Sequence, residues 1–307
     1  MSKRGVLEAW EEFDLDTSLK ASFSLPLFER KDANIFVKTY GYKTGLRLEG
    51  RLGLLLYDGC SLPEASFLSG AWFNPFEGAG RLRRRPRLAL YELLQVFPGL
   101  GLAINPWDIR AMFYSIFLSR NTDYYANTVR WVREMALRAG DEAGLALLDP
   151  RKFGSSYQLA QLAEIRDGLD GALALLSPGI ELVGSEASFS LVKERLLSLP
   201  HVGPKTVHAF GLFCLGLTQL APADRHLIAI SRALGLVGEG VRAPRKDLCI
   251  RYRCFGDGGP CPQAPSCLTA LLMRELGLMA GWFQTAAFLY GALYLSKRED
   301  PAGLLRR

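Results

Sequence analysis

The chain has 307 residues, of which 49% are hydrophobic and 22% are charged. This balance excludes a disordered chain and is typical of a globular protein with one large domain or two. Lysine and arginine outnumber aspartate and glutamate by 37 to 31, which leaves a formal net charge of +6. That charge suits a polyanionic partner without requiring one.

Two stretches bear on the location of the protein. The first residues, MSKRGVLEAWEEFD, include acidic side chains where a signal peptide needs an unbroken apolar core. The most membrane-like stretch, residues 278–296, has Gln284 and Thr285 at its middle, so we expect a buried helix rather than a membrane span. We therefore expect an intracellular protein, cytoplasmic or nuclear.

The first third of the chain favours β-structure. Residues 20–60 contain short β-type runs, among them NIFVKTYGY and GLRLEGRLGLLLYDG, separated by glycine and turn residues. They predict an antiparallel sheet. A strongly basic stretch, NPFEGAGRLRRRPR at residues 74–87, follows. It fits a solvated loop and a phosphate-contacting surface equally well.

From Pro106 onward the pattern becomes helical. The stretch PWDIRAMFYSIFLS repeats apolar residues at the spacing of one helix face. Further helices are predicted at 123–139, 157–166, 188–198, 205–217, 224–234 and 268–296. We therefore predict an α+β, mainly α fold. A small mixed α/β domain, residues 1–104, would precede a helical domain, residues 105–307.

The stretch LPHVGPKTV, residues 199–207, predicts a tight turn between two helices. Pro204 suits the first turn of the second helix. The backbone N–H groups of Val202, Gly203 and Lys205 would then be unpaired at a helix N-terminus, where an anion such as a DNA phosphate can bind. On this evidence alone, Lys205 is one more phosphate contact.

Asp224, in the stretch PADRHL, lies at the start of the next predicted helix. A carboxylate there accepts the free N–H groups of the helix and is kept ionised by them. Asp224 is therefore interpreted as an N-cap at least. A lysine and an aspartate at two successive helix starts can also meet in one cleft.

The pair of motifs LPHVGPKT and PADRHL resembles the helix-hairpin-helix (HhH-GPD) DNA glycosylase superfamily. Its members carry LPG[VI]GxKT and then a [PV]-x-D-x-H element, and the resemblance covers roughly residues 105–300. His201 stands where the family usually has glycine. Because glycine tolerates a left-handed backbone, we expect a reshaped or strained turn at this position.

The resemblance implies a bifunctional DNA glycosylase and AP lyase of base excision repair. A damaged base is flipped out of the duplex, Lys205 attacks C1′ of its sugar to form a Schiff base, and Asp224 assists the amine and stabilises positive charge on the sugar. The expected partner is double-stranded DNA containing a damaged base or an abasic site. We expect the protein to act as a monomer.

The last helix bears on the choice of base. GWFQTAAFLYG, residues 281–291, resembles the last helix of the 8-oxoguanine DNA glycosylases. The resemblance implies that Gln284 reads the Watson–Crick edge of the flipped purine, that Phe288 stacks on it and that Ala209 lies nearby. The alternative is a core helix with one satisfied glutamine.

Further DNA contacts follow from the same resemblance. In FLSRNT, residues 117–122, Asn121 corresponds to the side chain that enters the duplex opposite the orphaned cytosine, with Arg120 beside it. Asparagine is also common at helix C-termini. His226 is a further candidate DNA contact, although for His226 and His208 a satisfied structural histidine is the simpler interpretation.

Four cysteines fall in the pattern C-x4-C-x6-C-x5-C: Cys249, Cys254, Cys261 and Cys267. Such clustering in an intracellular chain favours a metal site over disulfides. We expect a 4Fe–4S cluster first, zinc second and no metal third. The last pair, CPQAPSC, resembles the end of the iron–sulfur loop in endonuclease III and the adenine-mismatch glycosylases, but the spacing and position differ.

The metal would have a structural role in this interpretation. It would hold a loop whose basic residues reach phosphates: Arg245, Lys246, Arg251 and Arg253. The cysteines also keep open an endonuclease III-like glycosylase for oxidised pyrimidines. The hairpin alone fits a non-catalytic DNA-binding module. Excision of 8-oxoguanine, an oxidised purine, is the first choice.

Overall fold

The computed structural model describes residues 4–254, 261–297, 299–300 and 303. It contains a five-stranded antiparallel sheet near the N-terminus, in the order β1-β5-β4-β3-β2. The strands are β1 (Arg4–Glu8), β2 (Phe28–Asp32), β3 (Ile35–Lys38), β4 (Arg47–Arg51) and β5 (Leu54–Asp58). The predicted sheet is confirmed. Strand β1 was not predicted, because none of its residues is fully buried and the strand has no strong apolar alternation.

The rest of the described chain is mainly helical. Four helices precede residue 105: α1 (Leu15–Lys20), α2 (Leu62–Ser69), α3 (Pro75–Gly80) and α4 (Arg84–Val96). Ten follow: α5 (Ile109–Leu118), α6 (Val129–Ala139), α7 (Glu142–Leu147), α8 (Tyr157–Leu173), α9 (Glu186–Ser198), α10 (Pro204–Phe213), α11 (Arg225–Ala233), α12 (Lys246–Arg251), α13 (Leu268–Leu276) and α14 (Ala280–Leu293). The α+β, mainly α fold is confirmed.

The basic stretch at residues 74–87 is more regular than the sequence indicated. It forms α3 and the first turn of α4, each starting at or near a proline that suits a helix N-terminus. Five of its arginines are exposed: Arg81, Arg83, Arg84, Arg85 and Arg87. The Arg85 guanidinium donates to the Gly235 carbonyl at 2.9 Å, so α4 is tied to the segment that follows α11.

Two buried hydrophobic clusters organise the described residues. The first joins the sheet to α5–α10, so that Phe36 and Leu55 share a core with Phe113 and Phe210. The second is formed by residues of α4, α11, α13 and α14. Because the first cluster contains residues from both sides of residue 104, the division into two domains there stays a prediction.

A buried ion pair fixes the sheet to the start of α5. The Lys38 ammonium lies 2.6 Å from Asp108 Oδ2, and both side chains are essentially inaccessible to solvent. Asp108 also accepts from the Tyr42 backbone N–H at 2.6 Å and from the Asn105 amide at 2.8 Å. The pair is therefore compensated by further hydrogen bonds, which a buried charge requires.

The long apolar segment near the C-terminus spans Leu268–Lys297 and is long and apolar enough to cross a membrane. Its most apolar window is 72% buried inside the protein. The predicted single helix at 268–296 is divided into α13 and α14, because Gly277 has φ +52 and a short 3₁₀ turn follows it. Most of this segment is a pair of core helices in the second cluster.

Candidate active site at a helix hairpin

The predicted hairpin forms between α9 and α10. Gly203 is the N-cap of α10, and the first helical hydrogen bond runs from the Val207 N–H to the Gly203 carbonyl at 3.2 Å. Within the described part of the chain, the N–H groups of Val202, Gly203 and Lys205 have no acceptor. Val202 is buried at 1% exposure and anchors the turn. The hairpin therefore presents free donors at a helix N-terminus, as predicted.

His201 occupies a left-handed position in this turn, with φ +61. The turn therefore keeps a left-handed backbone at this position, a conformation that is disfavoured for a non-glycine residue. Two contacts hold the residue in place. Its ring Nε2 lies 2.8 Å from a Glu164 carboxylate oxygen, and its carbonyl accepts from Arg120 Nη1 at 2.5 Å.

Arg120 is engaged within the protein. Besides the His201 carbonyl, its guanidinium donates to the Phe117 carbonyl and to the Gln161 side chain, each at 2.8 Å. It also lies 3.6 Å from the centre of the Phe117 ring. Arg120 therefore holds the end of α5 against the hairpin turn, a role that the sequence did not suggest.

Asn121 lies beyond the end of α5, next to Arg120. It is exposed and has a left-handed backbone with φ +50. Its neighbours Ser119 and Thr122 line a cavity that Asn121 itself does not line. Asn121 is therefore exposed beside the cavity, and its predicted insertion into DNA stays a prediction.

This cavity, of about 190 Å³, lies in front of α10 and brings the candidate catalytic and base-reading residues together. Helix α10 contributes Lys205 and Ala209, the start of α11 contributes Asp224 and His226, and α14 contributes Gln284, Thr285 and Phe288. Three residues far apart in sequence, Lys205, Asp224 and Gln284, thus share one pocket. We call it the base pocket.

Asp224 combines two roles that the sequence left open. Its Oδ1 accepts from the Leu227 N–H at 2.8 Å, which makes it the N-cap of α11. Its Oδ2 accepts from Gln284 Nε2 at 3.4 Å. Asp224 is therefore held at both oxygens while it lines the base pocket.

Gln284 has one unsatisfied atom. The residue is 6% exposed, and its Oε1 has no hydrogen-bond partner among the described residues. The amide orientation follows from chemistry, because the Asp224 carboxylate only accepts hydrogen bonds and must face the NH₂ group. A buried acceptor without a partner is costly, which favours a ligand that donates a hydrogen bond to it. The choice between a base-reading and a core glutamine stays a prediction.

Lys205 is partly exposed and lines the base pocket, and within the described residues its ammonium makes no hydrogen bond or ion pair. The positive charge of Lys205 has a small effect on the pKa of His226. The pKa of His226 is lowered mainly by burial, with smaller effects from Arg225 and Lys205, while Asp224 opposes the change. His226 packs so closely on α14 that a Cβ at Gly291 would lie 2.2 Å from its ring.

An aromatic wall completes the base pocket. Phe23, Tyr124 and Tyr125 line the side facing Phe288. The Tyr124 ring meets Phe288 edge to face at 6.1 Å and Phe23 at 5.6 Å. The sequence analysis missed all three, although the Tyr124-Tyr125 pair just before α6 was a visible signal.

The four cysteines lie behind the hairpin, on the side away from the base pocket. Cys249 is on α12 and Cys267 is the N-cap of α13, both more than nine-tenths buried. Cys254 and Cys261 flank residues 255–260, which lie outside the described residues. All four are free cysteines in the structure, and the choice of a metal site over disulfides stays a prediction.

The four thiols are close enough to influence one another. Burial raises the pKa of Cys249 to about 12, and the charges of Cys254, Cys267 and Cys261 add to the increase, while Lys193 opposes it. Among the described residues, no three histidine, cysteine or acidic side chains are arranged to hold a metal ion.

One further contact links the cysteines to α10. The Cys254 sulfur lies 3.8 Å from His208 Nε2. His208 is fully buried, and burial lowers its pKa to about 3, so the ring is neutral. The adjacent residues His208 and Ala209 therefore face the cysteines and the base pocket, respectively.

The basic residues predicted to reach phosphates differ in their surroundings. Arg245 pairs with Asp247 at 2.7 Å, and Lys246 donates to the Leu199 carbonyl at 2.9 Å. Arg251 and Arg253 are exposed. Only the last two are therefore presented to solvent without a described partner.

Comparison with solved structures identifies the fold. An 8-oxoguanine glycosylase/lyase from Clostridium acetobutylicum, in complex with double-stranded DNA containing cytosine opposite 8-oxoG, is similar over 95% of this chain and 97% of its own, with a TM-score of 0.63 and 13% identity. A 3-methyladenine DNA glycosylase from Archaeoglobus fulgidus is similar over 94% of this chain and 99% of its own, with a TM-score of 0.62 and 13% identity. The chain has the fold of these DNA glycosylases.

A third similar structure is MBOgg1 in complex with a low-affinity DNA ligand, which covers 94% of this chain and 95% of its own at a TM-score of 0.61 and 15% identity. No family model matches the chain. No curated protein matches it either. The likeness in fold that the hairpin motif implied is confirmed over nearly the whole chain.

Proposed function

We propose that the protein is a DNA glycosylase with AP lyase activity, and that it excises 8-oxoguanine from duplex DNA. The observation that carries the proposal is the base pocket, where Lys205, without a partner in the described chain, faces the same cavity as Asp224 and Gln284. The fold supports it, because similar structures are DNA glycosylases, two of them described in complex with DNA.

Lys205 supplies the nucleophile. The neutral Nζ amine attacks C1′ of the flipped nucleotide, the glycosidic bond breaks, and its electron pair leaves with the base, which takes up a proton. Ring opening gives an imine between Nζ and C1′. Loss of a proton from C2′ then expels the 3′ phosphate, which is the lyase step, and water releases the lysine.

Asp224 supplies the negative charge. Its carboxylate is held by the Leu227 N–H and by Gln284, so it is oriented before the substrate enters. Positive charge develops on the sugar as the glycosidic bond breaks, and a fixed carboxylate stabilises it without reorganisation. The same group accepts a proton from the attacking amine.

Gln284 supplies the selection for the base. Its NH₂ group is directed to Asp224, so the unsatisfied Oε1 is left as an acceptor buried in the pocket wall. A base that offers an N–H donor at this point satisfies it, and a guanine-type Watson–Crick edge carries such donors. Phe288 and the aromatic wall provide flat faces on which a purine can stack.

The hairpin supplies the grip on DNA. Gly203 has an extended backbone (φ −117, ψ 173), and a Cβ there would meet nothing within 4 Å. Neither conformation nor internal packing therefore requires glycine. Its bare backbone instead leaves room for a phosphate to approach the free N–H groups of the turn.

The four cysteines support a bound 4Fe–4S cluster as the cofactor. A tetrahedral zinc ion needs sulfurs about 2.3 Å from the metal, and so within about 4 Å of one another. The described thiols are not arranged for a single ion, yet they interact electrostatically as a group. A 4Fe–4S cluster takes four cysteine thiolates, one on each iron atom, and the chain has four cysteines in one short segment.

A substrate panel tests the proposed activity. Duplexes carrying 8-oxoguanine opposite cytosine, thymine glycol, uracil or hypoxanthine are incubated with the full chain, and strand breaks are scored with and without alkali. We expect 8-oxoguanine to be excised fastest, with some breaks formed without alkali. Fastest excision of thymine glycol would favour the endonuclease III-like alternative, and binding without cleavage of any duplex would favour a non-catalytic module.

A further inference from the structure

The end of α3 and the start of α4 form a basic surface. Five arginines in this short segment are exposed, and none of them forms an ion pair within the described residues: Arg81, Arg83, Arg84, Arg85 and Arg87. We call these five residues the arginine surface. The nearest carboxylates in the sequence are Glu77 and Glu92. Five arginines therefore stand against two glutamates, and the surface keeps a net positive charge.

The exposed arginines of the sheet are different, because they have carboxylate partners. Arg47 and Arg51 on β4 both contact Glu49, at 2.9 and 2.7 Å. Arg4 on β1 contacts Asp58 at 2.9 Å. An exposed ion pair leaves little net charge, whereas an arginine without a carboxylate partner keeps its charge and its N–H donors for an external anion. The arginine surface is therefore open to a polyanion.

Helix α11 connects the arginine surface to the base pocket. Its N-cap, Asp224, lines the pocket, and the Gly235 carbonyl just beyond its other end accepts from Arg85 at 2.9 Å. The groove where α4 meets this end of α11 is lined by Arg84 and Arg85, with one carboxylate, Glu92. The nine residues of α11 span about 14 Å. The arginine surface therefore begins roughly 14 Å from the base pocket.

Two arginines of α11 extend the positive charge between these places. Arg225 lines the base pocket, and Arg232 follows it two helical turns later, so both lie on one face of the helix. Both residues are exposed. The charge of Arg232 is partly offset by the Glu239 carboxylate at 4.0 Å. Exposed arginines therefore follow one another from the mouth of the base pocket along α11 to α4.

We propose that the arginine surface binds phosphates of duplex DNA about four base pairs from the damaged nucleotide. The proposal rests on the function proposed above, because the base pocket sets the position of the duplex. Phosphates of one strand are about 3.4 Å apart along the duplex axis, so about 14 Å corresponds to about four of them. The planar guanidinium group donates two parallel hydrogen bonds to a phosphate. Such contacts position the duplex without reading its bases.

Matched arginine variants of the full-length protein test the proposal. The Gln variant is Arg83→Gln/Arg84→Gln/Arg87→Gln, which keeps Arg85 and its contact to the end of α11. The Lys variant, Arg83→Lys/Arg84→Lys/Arg87→Lys, changes the same positions but keeps their charge. The thermal unfolding midpoint of each variant shows whether it is folded.

The control variant is Arg4→Gln/Arg47→Gln/Arg51→Gln, which removes three arginines that have carboxylate partners. Affinity is measured over a series of salt concentrations, for duplexes with and without a tetrahydrofuran abasic analogue, which cannot form an imine. Two further duplexes shorten one flank of the analogue to about two base pairs, which is too short to reach the arginine surface. One of them shortens the 5′ flank and the other the 3′ flank.

We expect the Gln variant to bind DNA about tenfold to a hundredfold more weakly at low salt, with a shallower salt dependence that reflects up to about three lost phosphate contacts. The Lys and control variants should retain the salt dependence of the wild type. Shortening one of the two flanks should weaken binding by the wild type. The Gln variant should be insensitive to the length of that same flank.

Three results would overturn the proposal. Equal losses in the Gln and control variants would show a general effect of net charge. Wild-type DNA binding by the Gln variant would assign the arginines to another polyanion, such as an acidic protein. An unchanged dependence on flank length in the Gln variant would contradict the position of the contact.

Failure of the proposed function gives a different result. The wild type would then bind duplexes with and without the analogue equally, and no damaged base would be excised. The salt dependence needs no damaged nucleotide, so it still decides whether the arginine surface binds DNA.

Discussion

The two sides of the helix hairpin use lysine in opposite ways. On the base-pocket side, Lys205 is partly exposed and has no partner in the described chain. On the cysteine side, Lys193 is buried and is fixed to the Tyr252 carbonyl. The first lysine is therefore accessible to a molecule that enters the base pocket, whereas the second is held inside the fold.

The same contrast applies to the polar groups around each lysine. The base pocket has a fixed carboxylate, Asp224, and an unsatisfied acceptor on Gln284. The cysteine side has thiols whose pKa values are raised by burial, and a neutral His208. The polar groups of the base pocket are therefore open to a ligand, whereas those on the cysteine side are mostly buried.

The largest effect is expected on the base-pocket side, from Asp224→Asn. Asparagine can still accept the N-cap hydrogen bond from Leu227, so the fold should persist. The lost negative charge should slow base excision at least about 100-fold, as measured in single-turnover assays. A wild-type rate of base excision would show that Asp224 serves only as the N-cap of α11.

The second largest effect on base excision is expected from Gln284→Ala. The loss of the contact from Oε1 to the base costs about 1–3 kcal/mol, so excision of 8-oxoguanine should fall about tenfold to a hundredfold. Cleavage at a preformed abasic site is the internal control, because no base is read there. Equal losses on both substrates would assign Gln284 to the positioning of Asp224 instead.

Changes on the cysteine side should separate stability from chemistry. Cys261→Ser is expected to lower the thermal unfolding midpoint and the DNA affinity more than the rate on bound substrate, because loss of metal loosens the segment behind the hairpin. Wild-type protein should be brown if the centre is iron–sulfur. Colourless wild-type protein with one bound zinc per chain would reverse the choice of metal.

The smallest effect is expected from Gly203→Ala. Its Cβ would lie within 4 Å of no atom of the described residues, so stability should be unchanged, while the methyl group obstructs a phosphate and weakens DNA binding about twofold to tenfold. Gly171→Ala, whose Cβ also meets nothing, is the matched control on α8. Equal DNA affinity of the two variants would show that Gly203 does not contact a phosphate.

The sequence was sufficient to predict much of the base pocket, because its residues sit at helix starts and at helical spacings. Lys205 and Asp224 are marked by their hairpin and cap motifs, and Gln284 by its place in an apolar helix. The aromatic wall was not predictable in the same way. Phe23 and Tyr124 come from separate segments, and only tertiary packing brings them to Phe288.

Two other features depended on long-range structure. Strand β1 exists because it pairs with β5, from Arg4 opposite Asp58 to Glu8 opposite Leu54. The role of Arg120 depends on the His201 carbonyl, far away in sequence. The burial of Lys193 was likewise not predictable, since a lysine within a helical pattern normally indicates a solvated face.

Borohydride trapping tests the central claim most directly, namely that Lys205 is the nucleophile of the base pocket. Wild-type protein mixed with an 8-oxoguanine duplex and borohydride should form a covalent complex with DNA, because reduction fixes the imine. Lys205→Gln should form none while binding DNA within about tenfold of wild type, since the hairpin amides remain. A covalent complex formed at wild-type yield by Lys205→Gln would contradict the account.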